Sequence, residues 1–240
     1  MLRRFRKHIA EQNWIALAFD FLIVVVGVFL GLQAQDWNQS RVDRQSERAY
    51  LERLTDDFAQ LSKELESCMN IYEGSLAALE HISSVVFPAA GIGPQTDVQD
   101  GAKIRDSLLR MTAGAIPAGR SVTFVEMLSS GDLRILRDES LRRELIYYDQ
   151  VAEAHREIWR SLRGETADYG RPIYSATTLS VDLEARQMVT VGDFDLDAMA
   201  NSSEFRTMVT VFAGNNANAY ELCQRQLGLA AGVLNKLGRD

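Results

Sequence analysis

An all-α protein with a single membrane-spanning helix is the fold class this sequence predicts, and three observations predict it. Residues Trp14 to Ala34 (WIALAFDFLIVVVGVFLGLQA) form a nearly uncharged run, apolar residues from Leu51 to Tyr72 recur at steps of three and four, and the 240 residues include only four prolines. At 1.5 Å per residue, about twenty apolar residues cross a bilayer core of roughly 30 Å. Steps of three and four place apolar side chains on one stripe of a helix, so the second segment predicts a helix with one covered face. An abundance of Ala, Leu, Glu and Arg favours helix over sheet throughout.

The first element is a basic tail, residues 1–13, with Arg3, Arg4, Arg6 and Lys7. The spanning helix follows over 14–35. Trp14 and Trp37 bracket it about 35 Å apart along a helix, which sets an indole at each headgroup level. Leu32-Gln33-Ala34 loosely resembles a signal-peptide cleavage site, but the apolar run is longer than a signal core and continues unbroken into helical sequence, so a retained anchor is expected. Four basic residues precede the span and Arg41, Arg44 and Arg48 follow it. This slight bias predicts a cytoplasmic amino terminus and a body outside the cytoplasm, which in a bacterium is an inner-membrane protein with a periplasmic domain.

Residues 36–87 contain no proline and one glycine, Gly74. The stripe Leu51, Leu54, Phe58, Leu61, Leu65, Cys68 and Tyr72 predicts a long amphipathic helix continuous with the spanning one, together a rod on the order of 100 Å long. Such a stripe serves either as a bundle core or as the seam of a coiled coil with a partner. Pro88, Gly91, Gly93 and Pro94 predict a loop over 88–101.

Residues 102–240 hold the remaining helices. A short one is expected over Ala102 to Thr112, then a break over Gly114 to Gly119. Thr123 and Glu126 have capping-box spacing and open a short helix ending at Gly131. Asp138 caps a long helix whose face is Leu141, Leu145, Tyr148, Ala152, His155, Trp159 and Leu162, closed by Gly170, Arg171 and Pro172. Residues 173–192 are the least helical, with Gln187 to Val191 the candidate for an isolated strand. Asp193 to Ala200 reads as a short helix, and Ser202 or Ser203 caps a final helix to Leu237 that Gly214-Asn215-Asn216 is placed to kink.

Charge argues against two classes of partner. Residues 14–240 hold 22 basic and 32 acidic side chains, a balance of −10 that argues against nucleic acid and against a basic lipid-binding face. Cys68 and Cys223 each lie in an apolar series, so they read either as a disulfide, in an oxidising compartment, or as two small core residues.

Within the span, Asp20, Gly27, Gly31, Ala34 and Asn38 fall within about 40° of one direction at 100° per residue. Gly27-Val28-Phe29-Leu30-Gly31 is a small-xxx-small pattern that lets two helix backbones approach closely. That face is the expected contact with another transmembrane helix, of a second copy or of a membrane-complex subunit. Asp20 is costly at its depth unless it reaches the interface or pairs.

The stretch from Asp20 through Gly27, Leu32, Gln33, Trp37 and Asn38 to Arg41 resembles the start of a large uncharacterised bacterial family of single-pass membrane proteins. Members show an acidic residue, a Val/Ile-rich run with Gly, then Ala-Leu-Gln-x-x-x-Trp-Asn and a basic residue; here Gly31 stands for the usual Ala. A second stretch, Thr123-Phe124 through Leu128, Gly131, Leu133, Leu136, Asp138 and Leu141, looks like that family's internal helix-turn-helix segment. The resemblance implies a bacterial membrane protein and supplies no catalytic residues.

Motifs for chemistry are missing. His8, His81 and His155 form no metal-ligand spacing with each other or with the cysteines, and neither a nucleophile elbow nor a phosphate-cradling glycine loop occurs. His155 reads as a core residue and His81 as a surface one. Paired acids such as Asp56-Asp57, or Asp193, Asp195 and Asp197, read as solvated charges or helix caps. The sequence therefore predicts no enzyme and no cofactor: the expected function is a membrane-anchored scaffold or accessory subunit. A ligand-binding sensor that signals through another protein is the alternative, and a membrane-anchored hydrolase the more remote one.

Overall fold

A computed structural model describes residues 14–88, 101–182 and 187–238. The basic tail and most of the 88–101 loop thus lie outside the described residues. Contacts divide the chain into two units, residues 1–50 and residues 51–240. The first helix, α1 (Trp14–Val86), belongs to both.

In the first unit α1 carries no polar side chain from Phe21 to Leu32 and then turns polar, and its described side chains there are almost all exposed. In the second unit the same helix has a sharply defined buried stripe. Leu54, Phe58, Leu61, Leu65, Cys68 and Tyr72 are buried, Leu51 is half-buried, and Ala78, Leu79, Ile82 and Val86 extend the line. The 3.6-residue period brings these positions to one side, where they meet the other helices.

Those helices are α2 (Gly101–Arg110), α3 (Val122–Ser130), α4 (Glu139–Tyr169), α5 (Arg171–Ala176), α6 (Leu196–Asn201) and α7 (Ser203–Leu237), with a single 3-10 turn over Asp132–Ile135. The face of α4 that packs on α7 carries Leu141, Leu145, Tyr148, Ala152 and His155. The buried face of α7 runs from Phe205 through Phe212, Ala219 and Cys223 to Val233. One end of the body forms a continuous apolar cluster that draws Leu79 and Ile82 from α1, Ile104 and Leu108 from α2, Ile173 from α5, Met199 from α6, and Met208 and Phe212 from α7.

Cys68 and Cys223 are joined by a disulfide with Cα atoms 6.4 Å apart, tying α1 to α7 across 155 residues of sequence. Both are buried. Of the two readings the sequence left open, the bonded one is observed.

The caps show where local signals suffice. Asp138 accepts from the Ser140 amide at 2.7 Å, and Ser202 accepts from the Phe205 amide at 3.1 Å. Gly131 ends α3 at φ 77°, a left-handed conformation that favours glycine.

Four expectations need correction. The cap of α3 is Ser121 rather than Thr123, its Oγ accepting from the Phe124 amide at 3.1 Å. A second acceptor reaches the same helix end from α1, because Asp57 Oδ2 takes the Thr123 amide at 2.9 Å and the Ser121 hydroxyl at 2.7 Å. With that end satisfied, Glu126 pairs with Arg53 instead. The candidate strand is not isolated: β1 (Thr177–Asp182) and β2 (Gln187–Phe194) form an antiparallel ribbon, with Leu179 opposite Val191 and Ser180 opposite Thr190. Threonines and valines stiff at χ1 suit that pairing, and buried Val191 pins it to the apolar cluster. Asp193 accordingly belongs to the ribbon, and Asp195 caps α6 by accepting from the Ala198 amide at 2.9 Å. Finally, α7 continues through Gly214-Asn215-Asn216 without interruption, since both asparagine side chains find internal partners.

Candidate functional site

Two arrangements stand out, one in each unit. The first is the exposed apolar surface of α1. Eleven large apolar side chains between Phe19 and Leu32 are exposed, Phe21 at 72% and Ile23 at 66%. At about 2 kcal/mol for each, covering them would contribute on the order of 20 kcal/mol. An exposed apolar surface of this extent marks a site for a membrane or a partner. Among the described residues α1 is the helix long and apolar enough to cross a membrane, and none of its most apolar stretch is buried.

Asp20, Gly27, Gly31, Ala34 and Asn38 lie on this exposed helix and share one side of it through the helical period. A Cβ built on Gly27 or Gly31 meets nothing within 4 Å, so the close-approach face stands open. Trp37 is 66% exposed beyond the apolar stretch. The side chain of Trp14, with Arg3, Arg4, Arg6 and Lys7, lies outside the described residues.

The second arrangement is a polar seam inside the bundle. In the segment 111–121 between α2 and α3, side chains from three long helices take up four backbone carbonyls. Ser75 Oγ donates to the Met111 carbonyl at 3.1 Å, and Tyr72 Oη to the Ala115 carbonyl at 2.7 Å. Gln226 Nε2 donates to the Ala118 carbonyl at 2.8 Å, and Tyr148 Oη to the Gly119 carbonyl at 3.3 Å. Neighbours hold these donors in turn: Trp159 Nε1 donates to Tyr72 Oη at 2.9 Å and Asn216 Nδ2 to Ser75 Oγ at 2.7 Å. Buried carbonyls must find donors, and here helix faces supply them.

Sequence reasoning missed this seam. Its only sequence signal is a set of polar residues, Ser75, Asn216 and Gln226, at positions where the apolar period requires burial. His81 likewise is half-buried rather than a plain surface residue, with Nδ1 2.9 Å from Ser107 Oγ. His155 is buried as expected, but its Nδ1 and Oε1 of Gln226 find no hydrogen-bond partner among the described residues. Burial pushes His155 below the usual imidazole range, with the neighbouring Gln226 amide opposing and Arg225 adding to the depression. Burial also pushes the Tyr148 hydroxyl up to about 12.

The shifted carboxylates have structural duties. A hydrogen bond from Arg53 holds Glu126 below the usual range, and the amides of Leu141 and Ser140 do the same for Asp138. A general acid working near neutral pH needs the opposite shift. No group of three or more His, Cys, Asp or Glu able to hold a metal ion occurs among the described residues. An open groove of about 340 Å³ lies between the end of α4 and the start of α7, lined by Asp168, Arg171, Glu204 and Thr207 among others. Thr207 commits its hydroxyl to the Ser203 carbonyl at 3.0 Å.

No family model, curated protein or solved structure matches the chain. Its own geometry must carry the functional reading.

Proposed function

We propose that this protein is a non-enzymatic, membrane-anchored interaction protein, a scaffold or accessory subunit of a membrane complex. In this reading the amino terminus lies in the cytoplasm of a bacterium and the helical body in the periplasm. The observation that carries it is the uncovered apolar length of α1 from Phe19 to Leu32, joined to a body whose own apolar stripe is already covered. The buried Cys68–Cys223 bond supports an oxidising compartment, where such bonds persist. The resemblance at Asp20 to Arg41 supports the bacterial membrane. The Asp20/Gly27/Gly31 face is the contact with another transmembrane helix, because small residues allow the backbone approach that helix association in lipid depends on.

Affinity purification of the full chain in mild detergent tests this, with Gly27→Leu/Gly31→Leu as the comparison. Partners or copies that co-purify with the native chain and are lost from the double variant support the reading. A solitary monomer that behaves the same with and without the glycines overturns it. The groove beside Asp168 and Arg171 favours a second reading, a ligand-binding sensor, since its mixed charges suit a small zwitterion.

A further inference from the structure

The polar continuation of α1 sorts its charges by side. At 100° per residue, Trp37, Arg41, Arg44 and Arg48 fall within an arc of about 60°. Asp36, Asp43 and Glu47 fall within an arc of about 40°, centred roughly 110° away. All three arginines are exposed, as is Trp37, whereas Asp43 and Glu47 are half-buried and Asp43 accepts a hydrogen bond from Gln39 Nε2 at 2.8 Å. Over these three turns the net charge is zero, so composition hides the stripe and only the helical period exposes it.

We infer that the Trp37–Arg41–Arg44–Arg48 stripe binds the anionic phosphate headgroups of the bilayer that α1 enters. This rests on the membrane-anchored reading above. The occupant follows from three features of the stripe. It is continuous with the apolar length of the same helix; it begins with a tryptophan, the residue that settles at headgroup depth; and it presents guanidinium forks, which match phosphate oxygens in pairs. Arg41 stands about 6 Å beyond Trp37 along the helix and Arg44 about 10 Å, within reach of the headgroup layer for side chains that extend toward it. Arg48, about 16 Å beyond, joins them as the helix tilts toward its basic side, and spanning helices tilt by about 20° on average. The acidic side then faces away from the lipid phosphates. The stripe thus sets the direction of tilt as well as a lipid preference.

The test uses the full chain in two assays. Vesicle flotation in phosphatidylcholine, with and without phosphatidylglycerol, first reads membrane association. Native mass spectrometry of the detergent-solubilised chain then reads which of the two lipids it retains. Flotation with both vesicle types and preferential retention of phosphatidylglycerol are expected. A basic residue near the surface contributes about a fivefold preference. Arg41→Gln/Arg44→Gln/Arg48→Gln therefore lowers the retention ratio by at least that factor, while Asp36→Asn/Asp43→Asn/Glu47→Gln leaves or raises it. Equal retention of both lipids by the native chain, or a ratio unmoved by the triple glutamine variant, overturns the stripe and leaves the anchor standing. Failure to float with either vesicle overturns both.

Discussion

Between Phe19 and Leu32 the large apolar side chains of α1 are exposed; between Leu54 and Ile82 the same helix buries them. Apolarity alone does not separate the two stretches, but periodicity does. Beyond Asp20 the first is apolar all round, so no side of it is marked for water. The second carries Glu52, Arg53, Asp56, Lys63 and Glu64 between its apolar positions, so water takes one side and the bundle the other. One continuous helix thus presents two kinds of surface, and the arrangement of residues around its axis distinguishes them.

The bundle half of this contrast is broken most severely at the disulfide. Reduction, or Cys68→Ser/Cys223→Ser, is expected to lower the unfolding free energy of the body by about 5 kcal/mol in the chain-entropy model for so long a loop. Urea unfolding followed by circular dichroism measures this. Flotation with vesicles should be unchanged, since the exposed apolar stretch from Phe19 to Leu32 holds neither cysteine.

A matched pair of truncations sharpens the contrast further. Leu65→Ala removes a fully buried side chain and should cost about 3 kcal/mol, whereas Leu22→Ala in the exposed stretch should change urea unfolding by less than about 0.5 kcal/mol. Equal costs at the two positions would show that the halves do not differ as described.

The smallest effect is a pH dependence confined to the bundle. A histidine whose affinity for protons is depressed on folding binds fewer protons folded than unfolded. Stability is therefore fully present above the ordinary imidazole value near 6.5 and is lost as pH falls below it. Melting temperatures between pH 7 and pH 5 should fall for the native chain, and His155→Gln should flatten that slope. An identical slope in the variant would assign the loss elsewhere. Glu126 and Asp138 lose their contributions only at lower pH, through the carboxylate range, because their affinities are also depressed on folding.

Much of the fold was legible because its signals are local or periodic. The break at Val86, the caps at Asp138 and Ser202 and the buried stripe of α1 each depend on residues within a few turns of one another. The misread positions depend on distant neighbours. Thr123 and Glu126 have the right spacing for a capping box, yet Asp57, 66 residues before Thr123, supplies the acceptor. Asn215 and Asn216 read as a kink because their partners, Leu162, Thr166 and Ser75, lie on other helices. Thr177 to Asp182 alternates over only a few residues, too short a signal alone, and pairs with β2 across the residues between them. The seam around 111–121 was illegible for a different reason: its acceptors are backbone carbonyls, which every residue carries alike.

By itself, then, the order of residues determined where α1 is apolar on all sides and where on one, since both follow from hydrophobic period along a single helix. The face shared by Asp20, Gly27 and Gly31 follows in the same way. Only the tertiary structure decided that Cys68 and Cys223 are bonded, that Asp57 caps α3, and that Ser75, Tyr72 and Gln226 hold the 111–121 segment. Each is a meeting of residues far apart in sequence, and its geometry exists only once the helices have packed.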